Sequence, residues 1–175
     1  MFGDGEPILT GLRDPWRFSF DSALSEVGVA DVGQDRVEEV NRVRLELDEP
    51  AKNLGWSAYE GTTRIPGHPL DDAGELVAPV VTYSHDEGCA VIGGFVYLGV
   101  EVPELVRRYL YGDFCSGAIW SLVPMPEGGV EGRRIEQVKI PQLTHIGQDG
   151  DGELVFSSAT GSLYRAVPAG STPSE

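Results

Sequence analysis

An all-β fold of short antiparallel strands follows from three features of this 175-residue chain. Glycine (23) and proline (12) together make up about a fifth of it, a composition that calls for many tight turns. Between those turns apolar residues alternate at period two, as Phe18 and Phe20 do with Arg17 and Ser19, the mark of a strand with one buried face. The third feature is a repeated frame of strand, Asp-turn, Glu and strand: RFSFDSALSEVGVAD near the start and THIGQDGDGELVFSS near the end. Equivalent meanders recurring every ~40–60 residues read as propeller blades, and the chain holds three such units.

Residues 1–11 read as a strand left over from a preceding unit, with Ile8 and Leu9 as its apolar content. The opening MFGDGEPILTG lacks a basic region followed by an apolar core, so it is no signal peptide and reads as a start inside something larger. Residues 12–47 form the first meander. Its Phe18/Phe20 strand turns at Asp21 and Ser22, a second strand runs through Val27 and Val29, a charged loop spans Asp35–Glu39, and a third strand covers Val40–Leu47.

Residues 48–79 form a long loop punctuated by Pro50, Gly55, Gly61, Pro66 and Gly67, and Trp56 and Tyr59 argue that it is ordered. The second meander, 80–123, opens with Val80, Val81 and Tyr83 and continues through Val91–Leu98, Tyr109–Phe114 and Ala118–Leu122, with PELVRR at 103–108 as one helical turn. The third, 134–166, has strands at Ile135–Ile140, Leu143–Gly147, Leu154–Ser157 and Ser162 onward. One propeller domain is thus expected over 1–167, followed by a Pro/Ser/Gly/Thr-rich tail at 168–175 that is expected to be disordered.

Charge excludes some partners. With 28 acidic and 13 basic residues the net charge is −15, which repels nucleic-acid backbones and anionic membrane surfaces. No apolar run reaches the ~18 residues that span a bilayer. Acidity favours metal cations and neutral substrates over anionic ones. The two cysteines, Cys89 and Cys115, each lie near an expected strand end, and a disulfide is the preferred reading over free buried thiols. Without a CxxC or a close His pair they do not make a zinc pattern.

In order, GLRDPWRFSFD, DVGQDRVEEVN, NLGW, GGFVYLG and YLYGDFCSGAIWSL resemble the C-terminal half of the glucose/sorbosone dehydrogenase family, from about Gly11 to Ala166. That family includes the soluble sugar dehydrogenases that use pyrroloquinoline quinone (PQQ), and the resemblance is nearest to its Hedgehog-interacting-protein-like subgroup. It implies a six-bladed β-propeller, of which this chain would supply about three four-stranded antiparallel blades, the N-terminal half of the propeller being a partner outside it. It also implies that Cys89 and Cys115 pair. The pairing would close a loop of about 26 residues, contribute roughly 3 kcal/mol and place the protein in an extracellular or periplasmic setting.

The resemblance implies site residues as well. Arg13 and Asp14 fall where the family has an Arg-Asn pair on PQQ; the guanidinium suits a polycarboxylate, whereas Asp14 brings a negative charge. Gly33 and Gln34 match a backbone-carbonyl pair that holds Ca²⁺, among Asp31, Asp35, Glu38 and Glu39, although a solvated acidic loop is the simpler alternative. The family's cofactor Lys falls near Cys115 and two of its Arg residues near Gln142 and Thr144, so three cationic positions are lost. Its histidine base lies in the other half; His68, His85 and His145 do not match it and read as loop or surface residues. Trp16, Trp56 and Trp120 could stack on a sugar, but packing between blades is the more ordinary role, and GQDGDGELVF reads as a tight turn without the spacing of a calcium loop.

Two functions follow. The first is a fragment of a PQQ-dependent aldose dehydrogenase, oxidising a sugar with a Ca²⁺-bound quinone in the full-length protein. The second is a non-catalytic extracellular propeller that binds a protein or carbohydrate partner.

Overall fold

The computed structural model describes residues 5–46 and 49–170. It is all-β apart from one short 3₁₀ turn at Pro103–Leu105, which falls within the expected PELVRR helical turn. Strands Pro15–Asp21, Glu26–Asp31, Val37–Arg44 and Val81–Ser84 form a first antiparallel sheet in that order. Val91–Ile92, Tyr109–Asp113, Ala118–Pro124 and Val130–Lys139 form a second, and Leu143–Gln148, Leu154–Ser158 and Ser162–Arg165 a third of three strands. Short pairs complete the structure: Leu9–Thr10 runs parallel to Lys52–Asn53, and Tyr59–Glu60 pairs antiparallel with Thr63–Arg64.

The sheets stack in chain order. Ala30, Val40, Val81 and Tyr83 of the first meet Val91, Tyr109, Tyr111 and Trp120 of the second. On the other face of the second sheet, Ile92, Leu110 and Ile119 meet Leu143, Ile146, Leu154 and Phe156 of the third. The middle sheet is therefore covered on both faces, which is why YLYGD is buried throughout and shows no polar alternation. The outer face of the first sheet is partly closed by Leu54, Leu9 and Leu12 around Val27, Val29 and Val43. Phe18 and Phe20 remain about 60% exposed there, and at the opposite end of the stack the whole Ser162–Arg165 strand is exposed.

The repeated Asp frame is a repeated hairpin. Asp21 Oδ1 accepts the Ala23 amide (3.1 Å) and Asp149 Oδ1 accepts the Asp151 amide (2.9 Å), the same side-chain turn in the first and third sheets. The GQDGDGELVF segment is thus a hairpin turn, as expected.

Several boundaries differ from the sequence expectation. Val81–Ser84 does not open the second unit; it pairs with Val37–Val40 and completes the first. Likewise Val130–Lys139 pairs with Ala118–Pro124 and completes the second sheet, which leaves the third with three strands. The strand expected at Val91–Leu98 stops at Ile92, because Gly93 and Gly94 bring the backbone against neighbouring chain: a Cβ at Gly94 would lie 2.1 Å from the Leu110 carbonyl oxygen. The third strand of the first sheet begins at Val37, ahead of the expected Val40, and its expected end at Leu47 lies outside the described residues. Residues 171–175 of the expected tail also lie outside them. No helix among the described residues is long and apolar enough to cross a membrane.

Candidate functional site

The segment from Leu12 to Arg36 is shaped by buried carboxylates that accept backbone amides. Asp31, at the end of its strand and 2% exposed, takes the Arg13 amide on Oδ2 (2.9 Å) and the Asp14 amide on Oδ1 (2.7 Å). Burial pushes the Asp31 pKa up against the pull of these two amides. The Val32 amide donates to the Asp14 carbonyl (3.1 Å), locking the two segments together. Arg13 Nη1 donates to the Val32 carbonyl (2.9 Å), and its guanidinium lies 5.8 Å from the Trp56 ring centroid.

Gly33 and Gln34 are brought beside Arg13 and Asp14, but their amides are already engaged. Gly33 N donates to Glu38 Oε2 (3.2 Å), and a Cβ there would lie 1.8 Å from the Val37 carbonyl oxygen, so only glycine fits. Glu38 is fully buried and also accepts the Val91 amide (3.0 Å) and faces His85 Nε2 (2.9 Å). Glu60 Oε1 collects three successive amides, Gln34 (3.0 Å), Asp35 (2.7 Å) and Arg36 (2.8 Å). Burial would raise the Glu60 pKa, yet the amides of residues 34 to 37 outweigh it and hold it below its ordinary value. An oxygen of Glu60 thus fills the concavity that these amides create.

The reading of Asp35–Glu39 as a charged loop is corrected on this point. Glu38 and Glu39 are strand residues at 0% and 8% exposure, buried because amides, His85 and Asn41 satisfy their oxygens. Sequence reasoning missed Glu60 as an organiser: it sits 24 to 26 residues from its partners and nothing local to YEGTT marks it.

Next to this loop opens a cavity of about 380 Å³. Trp16, Val32, Ile92 and Phe114 form its apolar walls, and Asp14 and Thr144 contribute the polar lining. Two of the positions singled out in the sequence, Asp14 and Thr144, therefore converge. Cys89 and Cys115 form a disulfide beside the cavity, with Cα atoms 5.6 Å apart. Asp113, fully buried, pins both ends of that crossing: Oδ2 accepts the Cys89 and Ala90 amides and the Tyr83 hydroxyl (2.8–2.9 Å), and Oδ1 accepts the Ser116 amide (2.7 Å). Gln142 lies at the entry to the Leu143 strand with φ 49° and does not line the cavity.

The remaining candidates scatter. His68 meets Ser57 Oγ (3.1 Å), His85 pairs with Glu38, and His145 has its ring nitrogen Nδ1 buried without a partner among the described residues, with burial and Arg17 lowering its pKa. Trp120 stacks on Tyr111 at 5.5 Å and lies 5.1 Å from Tyr83, the inter-sheet packing role. Trp56 serves Arg13, and Trp16 alone of the three tryptophans lines the cavity. Among the described residues no three His, Cys, Asp or Glu side chains converge as a metal cluster.

No family model matches the chain. Over 131 residues it is 35% identical to the HIPL2 protein of Arabidopsis thaliana, covering 67% of this chain and 18% of that protein. The chain thus spans under a fifth of the length of this relative. Its fold is similar to that of the PQQ-bound aldose sugar dehydrogenase from Streptomyces coelicolor (TM-score 0.58, 15% identity, 85% of this chain and 38% of that one). It is also similar to a glucose dehydrogenase crystal structure (TM-score 0.62, 18% identity, 89% and 45%). The resemblance found in the sequence holds on both counts: the curated relative is a Hedgehog-interacting-protein-like protein, and the structural neighbours are soluble sugar dehydrogenases.

Proposed function

We propose that this chain supplies three consecutive blades of a six-bladed propeller and that its central cavity is a binding site rather than a quinone-dependent oxidoreductase centre. The observation that carries this reading is the cavity lining. PQQ is a tricarboxylate, and the residues that line the cavity here are Asp14, Thr144 and five apolar side chains, with no cationic group. Arg13, the one cation retained from the family pattern, is committed to the Val32 carbonyl and the Trp56 ring. Each missing charged hydrogen bond forfeits about 1.5–3 kcal/mol, and Asp14 adds repulsion. The residues present do not fit the quinone.

Calcium at Gly33 and Gln34 fits only in part. Their carbonyl oxygens are hard donors suited to the ion, but Asp31, Glu38 and Glu60 are already taken by amides and offer little to complete a shell of six to eight oxygens. The open Ser162–Arg165 edge and the exposed Phe18 and Phe20 suit a chain that is joined by further blades. The disulfide favours an extracellular or periplasmic setting, where the partner would be a protein or a carbohydrate.

The dehydrogenase reading is favoured by one specific observation, the fold it shares with a PQQ-bound aldose sugar dehydrogenase. In that reading an aldose would be oxidised only in a protein carrying the remaining blades. Dye reduction with PQQ, Ca²⁺ and glucose by a protein that joins this chain to the remaining blades tests the choice. No turnover is expected, and PQQ-dependent turnover would overturn the binding-site reading.

A further inference from the structure

All three sheets meet at the cavity beside the disulfide. Trp16 comes from the first strand of the first sheet, and Val32 directly follows its second. Ile92 and Phe114 come from the second sheet and its first turn, and Thr144 from the third. With Ala90 they enclose a space of about 380 Å³ whose surface is almost wholly apolar. The polar groups of the lining are engaged elsewhere. Trp16 Nε1 donates to the Thr144 carbonyl (3.4 Å), and the Thr144 hydroxyl is shared with the Ser157 carbonyl (3.1 Å) and hydroxyl (2.8 Å). Asp14 is exposed at the rim, with its amide bonded to Asp31 and its carbonyl to Val32. The Arg17 guanidinium lies 5.5 Å from the Trp16 ring centroid and does not line the space.

The walls are braced from behind. Ile92 belongs to the core between the second and third sheets, with Phe114 packed against it, and Val32 packs against the core between the first and second. Asp113 accepts the Ala90 amide (2.9 Å), the Phe114 amide donates to the Ala90 carbonyl (3.0 Å), and the disulfide joins their chain neighbours Cys89 and Cys115. Walls held in this way keep the space open, as in a preformed ligand site.

We infer that this cavity binds a small uncharged organic molecule with an aromatic or alicyclic body; the inference deepens the reading of the cavity as a binding site and rests on it. The volume lies in the range of small-molecule sites. A neutral ring gains wall contacts in proportion to the area removed from water, and Trp16, 45% exposed, has such area to give. An ammonium or a carboxylate of the same shape leaves water for walls whose polar groups are already engaged, so either charge costs affinity. The net charge of −15 draws cations to the outer surface in general, so preference for a neutral molecule over its ammonium analogue is a property of the cavity alone.

The test is calorimetric titration of a protein that joins this chain to the remaining blades, with three probes of one shape: 2-naphthalenemethanol, 2-naphthylmethylammonium and 2-naphthoate. The alcohol is expected to bind at least about tenfold more tightly than either ion. Ala90→Leu puts a branched side chain into the space and should weaken the alcohol at least about tenfold while the melting temperature does not fall, because an apolar void is filled. Trp16→Ala removes a half-exposed wall and should weaken the alcohol similarly, which keeps the test decisive if the first variant fails to fold. Equal affinity of the three probes would overturn the inference, as would tightest binding of either ion, alcohol binding unchanged in the folded variants, or no binding of the alcohol at millimolar concentration. PQQ titrated into the same protein separates the two levels. If PQQ binds, the exclusion of the quinone falls; if neither PQQ nor the alcohol binds, only the present inference falls.

Discussion

Replacing Glu39 by glutamine should stabilise the protein at alkaline pH and leave it nearly unchanged in mild acid. Glu39 is 8% exposed and stands directly across from Asp31 on the neighbouring strand. Burial, partly opposed by the Asn41 hydrogen bond and reinforced by the charge of Asp31, pushes its pKa from the ordinary 4.5 to about 7. The folded state therefore holds a proton that the unfolded state releases. The stability this contributes is fully present below the unfolded value and is lost as pH rises through about 7. At ~1.36 kcal/mol per unit, the shift from 4.5 to about 7 sets an upper bound of about 3 kcal/mol on the penalty of keeping the carboxylate charged at alkaline pH.

Glutamine removes that penalty and fits the contacts. Its carbonyl can accept the Gly61 amide now taken by Glu39 Oε2 (3.0 Å), and a flip of the Asn41 amide, whose Nδ2 now donates to Glu39 Oε1 (3.0 Å), lets the glutamine amide donate to Asn41 Oδ1, a buried acceptor without a partner among the described residues. At roughly 2–4 °C per kcal/mol for a chain of this size, Glu39→Gln should raise the melting temperature by several degrees near about pH 8. The gain should shrink as pH falls through about 7 and fade to nothing only below the unfolded value, at about pH 4. Thermal unfolding followed by circular dichroism across that range measures it. A difference independent of pH, or a variant less stable at alkaline pH, would refute the reasoning.

Three further outcomes follow from the same geometry. Asp113→Asn places an amide group among four donors that converge on a buried carboxylate and should cost about 2–4 kcal/mol in urea unfolding; a loss below about 1 kcal/mol would show that Asp113 does not hold the crossing. Removing the disulfide as Cys89→Ser/Cys115→Ser frees a 26-residue separation and should cost about 3 kcal/mol, read as a lower urea midpoint, and an unchanged midpoint would contradict it. Because Glu38 and Glu60 hold the Gly33–Arg36 amides without an ion, Ca²⁺ followed by a chelator should shift the melting temperature by less than about 1 °C; an ion present at 100 times its Kd would add about 2.7 kcal/mol and move it by several degrees.

What the sequence made legible was local. The hairpins at Asp21 and Asp149 are written in the spacing of an aspartate, a turn and a strand, and both formed as expected. The cysteine pair was likewise within reach, because five motifs in a fixed order set the frame. The assignment of strands to sheets was not. Val81–Ser84 and Val130–Lys139 each close the preceding sheet through long-range pairing, and nothing in VTYS or VEGRRIEQVK says which neighbour it joins. The carboxylates were visible as charges, but their burial was not. Glu38, Glu60 and Glu153 look like solvated surface until the backbone amides that they accept are brought in from distant segments, Val91 to Glu38 and Val100 to Glu153 among them.

The central claim is that the cavity no longer suits the quinone. Isothermal titration with PQQ, with and without Ca²⁺, of a protein that joins this chain to the remaining blades tests it most directly. No measurable heat of binding at micromolar PQQ in either condition is the predicted result: Asp14 and the apolar walls offer no partner for its carboxylates, and Arg13 is held against Val32 and Trp56. Binding at micromolar or tighter affinity that depends on Ca²⁺ would contradict it and would place both Arg13 and the Gly33–Gln34 loop in a working cofactor site.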